Sequence, residues 1–206
     1  LDGTLTDPKP GITGCIQYAL ERMGAPVPEK DALEWCIGPP LFESFEKLVG
    51  VERSEEGVVL YRERFGDVGL FENEVYAGVP AALSSLAAAR TRLFVASSKP
   101  KVYVDRILDH FDLTRHFEKV YGSELDGTRT DKRELLFYAL AEEGIPGTEA
   151  TMIGDRGVDA VGAVHNAMAF LGVLYGYGSR EELERAGANR FAASPNDLFA
   201  SLAGRS

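Results

Sequence analysis

Five side chains in this sequence combine types and positions that could do phosphoryl chemistry. Asp2 lies in LDGTLTD (1–7), Ser97 near the end of the apolar run RLFVASS (92–98), Lys132 after the polar loop GTRTD, and Asp155 and Asp159 in IGDRGVD. A hard divalent cation such as magnesium takes carboxylate, carbonyl and water oxygens, usually one or two protein carboxylates with substrate phosphate. Asp155 ends an apolar run and Asp159 falls in the first turn of the helix after it, so both carboxylates can face one point. Taken singly, G-D and D-G dipeptides are turn formers; their conjunction is what points to a metal. Lys132 heads a helix, where a cation opposes the helix dipole, so either something other than helix stability placed it there or it is a solvated surface lysine. Ser97 can offer a hydroxyl and nearby backbone amides to a phosphate oxygen, or it can cap the next helix.

The elements that must position these groups fall into two parts. From Pro10 to about Glu74 the pattern is helical: ITGCIQYALERMG (12–24) and LFESFEKLVG (41–50) each end in glycine, and VVLYRERFGDVG (58–69) follows. Past Tyr76 helices are predicted at 79–90, 102–113, 132–144, 158–168 and 179–188. They alternate with strands at 92–98, 117–123, 150–155 and 169–176. Ser179 and Glu182 stand at the spacing of a capping box. The alternation predicts an α/β fold with a doubly wound parallel sheet. In such sheets ligands bind outside the carboxyl ends of the strands, which selects Ser97, Ser98, Ser123, Asp155, Arg156 and Tyr177.

Composition limits the partners. With 206 residues, 45% of them hydrophobic, the chain can bury a substantial core. A formal net charge of −10 argues against a nucleic-acid partner, since such binding draws on clustered Lys and Arg. The two cysteines, Cys15 and Cys36, read as reduced thiols of a cytoplasmic protein. No apolar run reaches membrane-spanning length, so no membrane is expected either. Oligomeric state is not readable.

In this order and spacing the segments resemble the haloacid dehalogenase (HAD) superfamily of phosphohydrolases. LDGTLTD is similar to the family's first motif, Asp-x-Asp-Gly-Thr-Leu, from its second position onward. VASSKP is similar to the second motif with Ser97 as its hydroxyl, Lys132 to the third-motif lysine, and IGDRGVD to Gly-Asp-x-x-x-Asp. GPPL (38–41), YAGVPAAL, YGSELDGTRTDK and YGYG (175–178) look most like phosphoglycolate-phosphatase-like and 5′-nucleotidase-like members of the branch with an inserted helical cap. The resemblance covers essentially the whole chain.

It implies a HAD-like Rossmannoid core at 1–11 and 75–206, with an α-helical cap at 12–74 that closes as a lid. It also implies a Mg2+-dependent phosphomonoesterase acting through an aspartyl-phosphate on a small phosphorylated metabolite. By the same resemblance Asp2 is the acid/base and gives its carbonyl to the metal, with Asp155 as the direct carboxylate ligand and Asp159 a second carboxylate in or just behind its shell. Ser97 and Lys132 hold the phosphoryl oxygens, with Gly3, Thr4 and Ser98 beside them. The family nucleophile falls one residue before Leu1, so an apolar strand ending in Asp is expected ahead of it. A phosphate-binding or regulatory protein without turnover is the alternative from a different class. For a nucleotide substrate, Tyr18, Trp35, Phe42 and Phe45 could stack a base, although such aromatics are more often core. The three histidines, His110, His116 and His165, fall outside these motifs.

Overall fold

The computed structural model describes residues 1–203, and the chain divides into two units. One comprises Asp2 and Thr6–Glu74; the other comprises Leu1, Gly3–Leu5 and the chain from Val75 onward.

In the first unit, strand β1 (Thr6–Asp7) leads into helix α1 (Lys9–Arg22), followed by a 3-10 segment at Lys30–Cys36, α2 (Leu41–Val49) and α3 (Val51–Arg64). Strand β2 (Glu74–Val75) pairs with β1. Helix α1 begins ahead of the apolar pattern because Pro10 is tolerated in a first turn, whose N–H groups have no partner within the helix. Helix α3 extends back over the polar stretch 51–57, where Glu and Arg favour helix without an apolar stripe. The core is aromatic: Tyr61 stacks on Phe65 with centroids 5.0 Å apart and meets Phe45 edge-on at 6.4 Å. Phe45 is fully buried, while Trp35 and Phe42 are exposed. Cys15 and Cys36 are buried thiols not joined in a disulfide.

The second unit alternates helix and strand: α4 (Val79–Ala88), β3 (Phe94–Pro100), α5 (Lys101–His110), β4 (Lys119–Ser123), α6 (Lys132–Glu143), β5 (Thr151–Gly154) and α7 (Gly157–His165). It continues with β6 (Ala169–Val173), α8 (Arg180–Arg185), β7 (Phe191–Ala192) and α9 (Leu198–Ala203), of which β7 and α9 are too short for a periodic signal. Strands β3 and β4 are parallel, as are β5, β6 and β7 in that order. Among the described residues these form two ladders; the strand that the resemblance implies ahead of Leu1 would lie outside residues 1–206.

Winding on both faces is visible in the core. Along β6, Leu171 and Val173 pack with Ala82 of α4, Ala192 and Leu198, while Phe170 turns to the other face against Ala160 and Ala163 of α7 and Leu183 of α8. A further cluster joins Val95 of β3 and Val120 of β4 to Val104 and Leu108 of α5, Val79 and Leu83 of α4, and Leu5. This period-two alternation fixes which strand-end residues emerge at the carboxyl edge.

Helix α6, which carries Lys132, is set by its ends. The Asp131 carboxylate accepts from the Arg133 N–H at 2.8 Å, and Gly144 closes the helix in the left-handed conformation. The Arg133 side chain holds the Asp131 carboxyl down at about 2, against 3.8 for an ordinary aspartate. Because this pKa is depressed on folding, its stabilisation is present above the ordinary carboxylate range and is lost as pH falls toward about 2. Replacing Asp131 by Ala should cost about 1 kcal/mol in a denaturant melt at neutral pH. The ion pair is part-exposed and adds little to that. The difference from the parent protein should narrow as the pH of the melt is lowered through that window.

Candidate active site

Five segments of the second unit meet near the carboxyl ends of β3 and β5. The first is the turn after Leu1, where the Leu1 carbonyl accepts from the Thr4 N–H at 3.1 Å and the Leu5 N–H at 2.8 Å. Gly3 sits in this turn at φ +72°, and a Cβ there would overlap the Asp155 carboxylate, so only glycine permits the approach. Thr4 Oγ1 then donates to Asp155 Oδ1 at 2.9 Å.

Asp155 is 2% exposed. Its second oxygen, Oδ2, accepts from the Tyr177 N–H at 3.0 Å. Burial pushes its pKa up and the Asp159 charge adds to that, while the Tyr177 and Thr4 bonds oppose the rise. The segment that supplies Tyr177 is YGYG, after β6. Tyr175 Oη donates to the Thr4 carbonyl at 3.0 Å, and side chains at Gly176 or Gly178 would overlap Asp155 itself. The sequence marks YGYG as a segment carrying the resemblance and Tyr177 as a strand-end residue; the two glycines just past the strand are its signal for close backbone approach.

Lys132 is a buried residue and not a solvated surface lysine. Its Nζ donates to the Ala96 carbonyl of β3 at 3.0 Å and pairs with Asp159 Oδ1 at 3.0 Å, the two side chains being 7% and 10% exposed. Asp159 Oδ2 accepts from the Arg156 N–H at 3.2 Å. Both Asp159 oxygens are thus engaged, and among the described residues Asp2, Asp155 and Asp159 do not form a three-ligand cluster. Asp159 orients the lysine, and Asp155 is the acid presented beside the DGT turn.

Ser97 is buried, and the β3–β4 register slips between Ser97 and Pro100, so the strand bulges just after it. Its Oγ accepts from the Lys99 N–H at 3.2 Å, leaving the hydroxyl proton for an incoming acceptor. Pro100 occupies the cap of α5, so Ser97 is not that helix's cap. The half-buried Ser98 has its carbonyl held by Ser123 Oγ at 2.8 Å. Asp2 is half-buried, makes an isolated bridge with Thr6 and groups with the helical unit. His110 and His165 are exposed and His116 half-buried.

A deep carboxylate beside backbone carbonyls, with a second carboxylate and an ammonium behind it, is a donor set that suits a hard cation and an anionic oxygen together. Comparison with known proteins agrees. The sequence profile of the haloacid dehalogenase-like hydrolases matches residues 1–173, and the chain belongs to that family. It is 49% identical over 185 residues to a 5′-nucleotidase of Pseudomonas aeruginosa, covering 89% of this chain and 84% of that one. It is 37% identical to the tyrosine-protein kinase PtkA of Mycobacterium tuberculosis over 90% of this chain, but spans only 64% of that protein's length. A predicted phosphatase from Clostridium acetobutylicum superposes with a TM-score of 0.93 at 40% identity, covering 98% and 95% of the two chains. This chain is an enzyme of the phosphatase type within the family. Among the described residues no helix is long and apolar enough to cross a membrane.

The Lys132–Asp159 pair should reveal itself by asymmetry. Replacing Lys132 by Met leaves Asp159 buried without its counter-charge and should cost about 3–5 kcal/mol in a urea melt. Adding Asp159→Leu to that variant should recover part of the loss.

Proposed function

We propose that this enzyme is a Mg2+-dependent phosphomonoesterase that hydrolyses a small soluble phosphate ester through an aspartyl-phosphate. The observation that supports this reading best is the placement of Asp155, a buried strand-end carboxylate gripped by the Thr4 hydroxyl and the Tyr177 N–H, next to the paired Lys132 and Asp159. A nucleoside 5′-monophosphate is the first substrate candidate, because the relative at 49% identity is named a 5′-nucleotidase. Phosphoglycolate is the second.

In this reading Asp155 and the backbone carbonyl of Asp2 hold the cation, with Asp159 behind them. Bound there, magnesium neutralises charge on the phosphoryl oxygens. The attacking carboxylate belongs to the position that the family resemblance sets one residue ahead of Leu1. Asp2 protonates the departing ester oxygen, and afterwards takes a proton from the water that opens the aspartyl-phosphate. Ser97 donates a hydrogen bond from its hydroxyl to one phosphoryl oxygen and Lys132 one from its ammonium to another, with Gly3, Thr4 and Ser98 lining the approach. Splitting the displacement in two lets one carboxylate pair serve both halves.

The test uses the full-length protein and a panel of phosphate esters that includes nucleoside 5′-monophosphates and phosphoglycolate. Inorganic phosphate should be released, chelation with EDTA should stop it, and Asp155→Asn should lower kcat/KM by about 100-fold or more, beyond what loss of an outer partner usually costs. Phosphate binding without turnover across the panel would contradict the proposal.

A further inference from the structure

We infer that Glu182, on α8 and outside every residue assigned chemistry above, is the positioning residue for the turn that carries Asp155 and Asp159. This deepens the proposed function and rests on it, because the turn matters only if Asp155 holds a cation.

A helix begins with N–H groups that lack partners, and α7 begins at Gly157, immediately after the Asp155–Arg156 corner. The usual remedy is a Ser, Thr, Asp or Asn before the first turn. Here that position is Arg156, whose guanidinium has donors only. Asp159 is committed to Lys132 and to the Arg156 N–H, which leaves the Gly157 N–H to be satisfied from elsewhere. Glu182 supplies the acceptor: its Oε1 takes the Gly157 N–H at 2.7 Å and Arg156 Nε at 3.1 Å. One carboxylate oxygen therefore fixes both residues that follow Asp155.

Three further features make this a designed grip and not a passing surface contact. Glu182 is itself held, since its N–H donates to Ser179 Oγ at 3.1 Å and its neighbour Leu183 is fully buried in the cluster with Ala160, Ala163 and Phe170. Gly157 makes room for it; a Cβ there would stand 3.2 Å from Glu182 Cγ. The charge is tolerable near two other acids because it meets a helix N-terminus and the Arg156 guanidinium. Glu182 was expected to return to its own helix as half of a capping box with Ser179; Ser179 keeps its half, and the glutamate caps α7 instead. Its side chain is 30% exposed, so the pair adds little to global stability, and the effect of losing it should appear in ligand geometry.

The experiment is calorimetric titration of the full-length protein with MgCl2, alongside its metal-free Tm and steady-state kinetics. Glu182→Leu should weaken Mg2+ binding about 10-fold, as loss of an outer hydrogen-bond partner does, and raise the Mg2+ concentration needed for half-maximal activity to match. KM for the ester at saturating Mg2+ should be unchanged. Glu182→Gln keeps an acceptor oxygen for the Gly157 N–H and should stay within about 3-fold of the parent. If Glu182→Leu does not fold, Glu182→Ala takes its place in the comparison. Parent-like Mg2+ binding in both the Leu and Ala variants overturns the proposal alone. A Gln variant as weak as Leu overturns the acceptor role, and a parent protein that binds no Mg2+ overturns the functional reading beneath it.

Discussion

One ammonium group links the parts of the α/β unit that do chemistry. Lys132 Nζ reaches from the start of α6 to the Ala96 carbonyl on β3 and to Asp159 on α7, the helix that follows β5. It therefore ties one parallel ladder to the other at the edge where the strands end. Burying a lone lysine or a lone aspartate there would cost several kcal/mol, and each offsets the other only because both are held in register. The cap at Asp131, the bulge after Ser97 and the α6–α7 packing all bear on that register.

Asp155 poses the same physical problem with a different solution. It is as deeply buried as the core leucines, and hydrogen bonds from Thr4 and Tyr177 hold its two oxygens. Those bonds require three backbone segments to approach within contact distance, which is why Gly3, Gly176 and Gly178 surround it. Carboxylate oxygens with backbone carbonyls close by are the kind of oxygen donors that a hard divalent cation takes. Tyr175 extends the arrangement by donating to the Thr4 carbonyl, which joins the turn after Leu1 to the segment after β6.

Much of this was legible in the residues. Apolar runs of about six to eight residues between periodic segments located β3 through β6 to within about three residues, and the residues at the ends of those runs are the ones found at the candidate site. What the sequence could not show was partnership at long range. Nothing local distinguishes Lys132 as buried from a surface lysine, because its partners are 27 and 36 positions away. The capping-box spacing at Ser179 and Glu182 was read correctly as a helix start, but tertiary packing redirected the glutamate to another helix. The short β1, β2 and β7 strands, and the helical turns at 30–36 and 198–203, carry too few residues for periodicity to register. Tyr18 pairs with Glu63 and Arg22 at the surface while Phe45 is core, a division that helical spacing alone does not resolve.

The central claim is that Asp155 holds a cation beside a phosphoryl site made by Ser97 and Lys132. A crystal structure of the full-length protein grown with MgCl2 and an inorganic phosphate analogue tests it most directly. The account predicts a metal about 2.0–2.1 Å from an Asp155 carboxylate oxygen. It also predicts oxyanion oxygens within about 3 Å of Ser97 Oγ and Lys132 Nζ. Metal and oxyanion bound away from Asp155, or an Asp155 carboxylate that keeps only its Thr4 and Tyr177 bonds at saturating Mg2+, would contradict it.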